Sequence, residues 1–102
     1  MELKTYIAKG IEAAQGPAAL ARLIGVRHSS LNEAKHGKRG LPPVACGKLA
    51  DLLGVDRWDV VAASEILTEK DEAKRRYLLP FVLEIVTSAK NQPARIANSS
   101  NL

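Results

Sequence analysis

Pro17-Ala-Ala-Leu-Ala-Arg-Leu-Ile-Gly-Val-Arg-His-Ser-Ser-Leu-Asn-Glu-Ala-Lys-His-Gly37 is the stretch that decides the fold. Within it Ala21, Gly25 and Leu31 have the spacing of two short helices joined by a tight turn. Ala21 leaves room where a second helix crosses closely, Gly25 accepts the positive φ such a turn demands, and Leu31 faces inward. Leu20, Leu23, Ile24 and Val26 are the apolar residues expected to fix the angle between the two helices. His28, Ser29, Asn32, Glu33 and His36 are left as a free polar face, of the kind a helix presents to a DNA groove.

On these residues the chain resembles a known family, the Cro and CI-like (lambda-repressor-like) helix-turn-helix regulators of phages and bacteria. The likeness is carried by Ala19-Leu-Ala-Arg-Leu-Ile-Gly-Val26, Leu31 and His36-Gly37-Lys38-Arg39. It continues in Lys48-Leu-Ala-Asp-Leu-Leu-Gly-Val-Asp56, where the family has the helix that follows its recognition helix, and covers residues 1–68. The chain departs from the family pattern at Arg27, where a Ser or Thr cap is usual, and at Ala34, where a bulky residue is common. The resemblance implies a five-helix DNA-binding domain in a homodimeric transcription regulator, a phage-type repressor that acts by occupying its operator. An activator or an excision-type architectural factor needs the same DNA surface, and both stay open.

Composition bounds the reading. A chain of 102 residues with 46% apolar content makes one domain with a small core that needs no disulfide or metal. Four aromatic residues and few β-branched runs predict an all-α fold packed through Ala and Leu. The single cysteine, Cys46, has no partner for an internal disulfide, suits a reducing cytoplasm, and reads as a small buried apolar residue. Met1-Glu-Leu-Lys4 lacks an apolar signal core, and no apolar run approaches the roughly 20 residues that span a bilayer, so a cytoplasmic protein without membrane contact is expected. The net charge of +4 is unevenly spread. Residues 1–55 hold eight cations against four carboxylates, whereas residues 56–102 hold seven of each. The excess lies on the half that contains the two short helices, as a phosphate-facing surface requires.

Apolar spacing predicts a first helix over 3–14, weakened at Gly10, a second over 17–24 started by Pro17, and a third over 28–36 stopped by Gly37. Lys38-Arg-Gly-Leu-Pro-Pro43 is a loop, and a fourth helix runs to Leu53 with Cys46, Leu49, Ala50 and Leu53 inward. Asp56 caps a fifth helix that ends near Leu67, with Val55 and Val60 as its hydrophobic staple and Trp58 as a packing residue. The DNA-binding domain accordingly spans 1–68, a helical extension 69–90 and a flexible tail 91–102. Tyr77-Leu-Leu-Pro-Phe-Val-Leu-Glu-Ile-Val86 is too apolar for a lone surface helix. As a helix it aligns Leu78, Val82, Ile85 and Ala89, with Pro80 kinking it or starting a new one; a strand is the alternative. Its stripe packs on the chain's own first and fifth helices, forms a dimer contact through Tyr77, Leu78, Phe81, Val82 and Ile85, or does both.

Enzymatic patterns are missing from the sequence. His28 and His36 have no arranged carboxylate or thiol beside them, there is no glycine-rich phosphate loop, and Ser29-Ser30 next to His28 is not a nucleophile and base, since adjacent helical side chains diverge. No catalytic residue, metal, cofactor or small-molecule ligand is therefore expected. Double-stranded DNA is the expected partner. At the start of the third helix His28, Ser29 and Glu33 would reach base edges, flanked by Ser30 and Asn32; Glu33 can accept from a cytosine amino group and a histidine can donate to guanine. Pro17, Arg27, Lys35, Lys38 and Arg39 would contact phosphates. The rival reading is an interaction module, for example antitoxin-like, that binds a protein through Tyr77–Val86.

Overall fold

Apolar residues at helical spacing draw six helices together in the computed structural model, which describes residues 1–83. They are α1 (Leu3–Ala14), α2 (Pro17–Ile24), α3 (His28–Lys35), α4 (Pro43–Leu53), α5 (Arg57–Glu65) and α6 (Glu72–Leu83). All regular structure among the described residues is helical. No helix among them is long and apolar enough to cross a membrane.

The centre is α4, which buries Ala45, Cys46, Leu49 and Ala50 and packs against α1, α2 and α5. From the other side α1 contributes Leu3, Tyr6 and Ile7, and α2 contributes Leu20, Ala21 and Ile24. Gly10, which weakens α1 as an isolated helix, lies where α1 crosses these two neighbours. A Cβ built there would stand 2.6 Å from Leu49 Cδ1 and 3.1 Å from a Leu20 methyl, so a methyl group enters only if these buried side chains shift. Pro17 occupies the first turn of α2, where its missing N–H costs no hydrogen bond. Asp56 caps α5 by accepting from the Trp58 N–H at 2.7 Å. Arg57 in turn grips Asp51 through two bonds of 2.9 Å, tying the end of α4 to the start of α5. The guanidinium holds the Asp51 carboxyl below the usual carboxylate range. That contribution is present above the ordinary carboxylate pKa and fades as pH falls through the lowered one.

Two readings of the sequence need correction. Leu23, expected to pack between α2 and α3, is 54% exposed. At about 100° per residue it falls well to the side of the stripe formed by Leu20, Ala21 and Ile24. Leu78 and Val82, placed above either on the chain's own helices or in a dimer contact, are buried in the chain's own core because α6 packs on α5, and they drop out of the contact residues. Phe81 is half-buried and meets the edge of Trp58, with ring centroids 5.7 Å apart and planes at 83°. Tyr77 stays 67% exposed. Pro80 neither starts a helix nor ends one, and lies inside α6, so residues 77–83 form no strand. Ile85, Ala89 and the tail 91–102 lie outside the described residues.

Gly10→Ala is expected to lower stability. The added methyl raises helix propensity by roughly 1 kcal/mol, but overpacking a buried crossing costs about 1–3 kcal/mol. Urea denaturation measures the balance, and a raised midpoint would show that Leu20 and Leu49 yield without strain.

Candidate nucleic-acid interface

An eight-residue helix is too short to hold itself, so α3 depends on the two residues it buries, Leu31 and Ala34. At about 100° per residue, anchoring those two side chains turns His28, Ser29, Asn32, Glu33 and His36 onto one outward arc of about 140°. All five are exposed. Ser30 borders the buried side and is half-buried, and Lys35 stands exposed at the other border. The structure thus brings His28, Ser29, Asn32 and Glu33 onto one face and leaves Ser30 at its edge.

The turn into α3 is made by Gly25 at φ 78°, whose N–H donates to the Ala21 carbonyl at 2.9 Å. This left-handed conformation suits a residue without Cβ. Val26 N–H bonds to the same carbonyl at 3.0 Å, so the end of α2 is closed before the chain extends through Arg27. Arg27 occupies the N-cap position of α3 and makes no side-chain cap. Arg27 is exposed.

Beyond α3 the loop is fastened twice. Lys38 N–H donates to the Glu33 carbonyl at 2.9 Å, which ends the helix. Three residues on, the Ser64 hydroxyl of α5 accepts from Leu41 N–H at 2.7 Å and donates to the Leu41 carbonyl at 3.1 Å. Ser64 is the one buried polar side chain among the described residues, and both of its hydrogen-bonding roles are filled by this single residue of the loop. Gly40 permits the approach, for a Cβ there would fall on the Ser64 hydroxyl and 2.8 Å from its carbonyl oxygen. Cys46 completes the cluster, with its thiol 3.6 Å from the Leu41 carbonyl. Burial pushes the Cys46 thiol pKa up, opposed in part by the Ser64 hydroxyl.

The polar face carries two internal contacts that spacing did not reveal. His36 Nδ1 lies 2.8 Å from the Asn32 carbonyl, which only accepts, so the Nδ1 proton points inward and Nε2 is the outward ring nitrogen. Arg39 donates to Glu33 Oε1 at 3.1 Å, with both side chains about half exposed. One residue assigned to phosphate and one assigned to a base are therefore paired with each other. Among the described residues Arg22, Arg27, Lys35, Lys38 and Lys48 pair with no carboxylate.

Lys48 and Arg22 are additions to the site. A methyl built on Gly25 would lie 3.9 Å from Lys48 Nζ, so α4 carries this ammonium to the α2–α3 turn. Only the packing of α4 on α2 puts it there, and nothing in the neighbouring sequence signals it. Arg22, in the last turn of α2, is exposed. Pro17 is exposed at the start of that helix. No group of three or more His, Cys, Asp or Glu among the described residues is arranged to hold a metal. Comparison with protein-family models, curated proteins and solved structures gives no match.

Ser64→Ala is expected to cost about 1–3 kcal/mol, since it strands the buried Leu41 N–H. Cys46 reports on the same cluster: a thiol reagent should label it only as fast as the native protein opens, and faster in Ser64→Ala. Rapid labelling of the native chain would contradict the burial of this node.

Proposed function

We propose that the protein is a sequence-specific DNA-binding regulator that reads the major groove with the exposed face of α3. The observation that carries this reading is the combination of that face with its surroundings: a polar arc of His28, Ser29, Asn32 and Glu33, bordered by Arg27, Lys35 and Lys38. An α-helix fits the major groove, and the residues near its start reach base edges. Cations on either side of such a helix would settle on the flanking phosphates. Lys48 and Arg22 extend that positive border towards α2. The likeness to the Cro and CI-like regulators points the same way, and within it repression by operator occupancy is the simplest mechanism. This reading contains no chemical step.

The same reading includes a homodimer, because one short helix spans too few base pairs for a specific site while two helices about 34 Å apart span two half-sites. Since Leu78 and Val82 are buried within the chain, the dimer contact moves to what α6 and its neighbour leave exposed, Tyr77 with Trp58 on one side of α6 or Leu79 with Leu83 on another. Either exposed apolar pair also supports the second reading, a module that binds another protein.

Titrating the full chain with a random-sequence duplex over a range of salt separates the two. The DNA reader is expected to lose affinity steeply with salt, and Arg27→Ala with Lys38→Ala to flatten the slope by roughly 0.9 for each phosphate contact removed. Ser29→Ala is expected to leave random-duplex affinity nearly intact and to alter the sequence recovered from a randomised duplex library, at about 1–3 kcal/mol for the base concerned. Salt-independent or absent binding would favour the protein-binding module.

A further inference from the structure

The Arg39–Glu33 ion pair spans the surface that would meet DNA, and Arg39 has little freedom to leave it. Its backbone is held on one side by the Lys38 N–H bond to Glu33 and on the other by the two hydrogen bonds between Leu41 and Ser64. What the guanidinium can change is its rotamer. It either donates to the Glu33 carboxylate, as it does here at 3.1 Å, or turns to another acceptor. Its neighbours Arg27, Lys35 and Lys38 face no such choice, for no carboxylate of the described residues pairs with them.

A guanidinium engaged by a carboxylate presents less charge to a phosphate, and a carboxylate engaged by a guanidinium has less capacity to accept from a base. The two engagements therefore compete. With both side chains about half exposed, the pair is weak enough to be exchanged for other partners, which a buried pair would resist.

The geometry points to Glu33 as a specificity-determining residue that acts through Arg39. On DNA of arbitrary sequence the carboxylate retains the guanidinium and keeps it from the backbone. Where a base edge offers an amino donor, as cytosine does in the major groove, that donor replaces the guanidinium on Glu33 and Arg39 turns to a phosphate. Base recognition and backbone grip are thereby coupled, and discrimination comes partly from weakened binding to wrong sequences. This inference rests on the DNA-binding reading above.

The test uses the full chain as wild type, Glu33→Gln, Arg39→Gln and the double variant, with circular dichroism confirming that each is folded. Binding to a random-sequence duplex is followed by fluorescence anisotropy over a salt series. Glu33→Gln is expected to bind random duplex up to about fivefold more tightly, the ceiling for an exposed pair. Its salt slope should be steeper by about 0.9, one further phosphate. Both gains should vanish in the Arg39→Gln background. Selection from a randomised duplex library should show a cytosine preference in the wild type that Glu33→Gln loses. Equal gains from Glu33→Gln with and without the Arg39→Gln change would overturn the proposal, because Glu33 would then act only as a negative charge near DNA. No gain from Glu33→Gln, with wild-type binding intact, would overturn it while leaving the DNA-binding reading in place. Absence of salt-dependent binding by the wild type would remove the DNA-binding reading, and this inference with it.

Discussion

The burial of Leu31 and Ala34 is the constraint on which the candidate interface depends. A helix of eight residues with an uncapped start gains too little from its own hydrogen bonds to persist in water. Its position and rotation are imposed by the core, chiefly by α1 and α2. Once those two side chains are inside, no further choice remains about which residues face out. The polar arc is the geometric complement of the apolar anchor, and any change that loosens the anchor also turns the arc.

The segments before and after α3 are fixed by different physical means. Before it, Gly25 supplies a backbone conformation that ends α2 within one residue. After it, the chain is polar and rich in glycine and proline, composition that by itself would leave the basic loop free to wander. Ser64 prevents this with one hydroxyl, accepting from and donating to the same residue of the loop. Buried polar contacts of this kind specify position more than they add stability, since the alternative placements leave donors unpaired. The loop cations are thus carried on a backbone that is already placed, which lowers the ordering cost of meeting a ligand.

Much of this was legible in the sequence where local physics governs. Pro17, Gly25, Gly37 and Asp56 act through their own backbone preferences or nearest neighbours, and the bounds of α1, α2 and α4 follow from them and from apolar spacing. What was not legible depends on residues distant in the chain. Gly10 looks like a flaw in a helix until Leu20 and Leu49 are brought against it. Gly40 and Ser64 are 24 positions apart and neither is informative alone. The Glu33–Arg39 pair forms across a helix end and a loop, outside the regular spacing by which helical ion pairs are recognised. For Tyr77–Leu83 the apolar stripe was visible, but periodicity cannot say which surface covers it; the packing of α6 on α5 answers that for Leu78 and Val82.

In the proposed function the surface from the Gly25 turn to Arg39 meets DNA. The most direct measurement is a two-dimensional amide NMR titration of the full chain with a short random-sequence duplex. Shift changes are expected to concentrate in residues 25–39, with Lys48 and Arg22 at their margin, while Tyr77–Leu83 stays unmoved. Changes confined to α6 and the Trp58 region, or none at all, would contradict it.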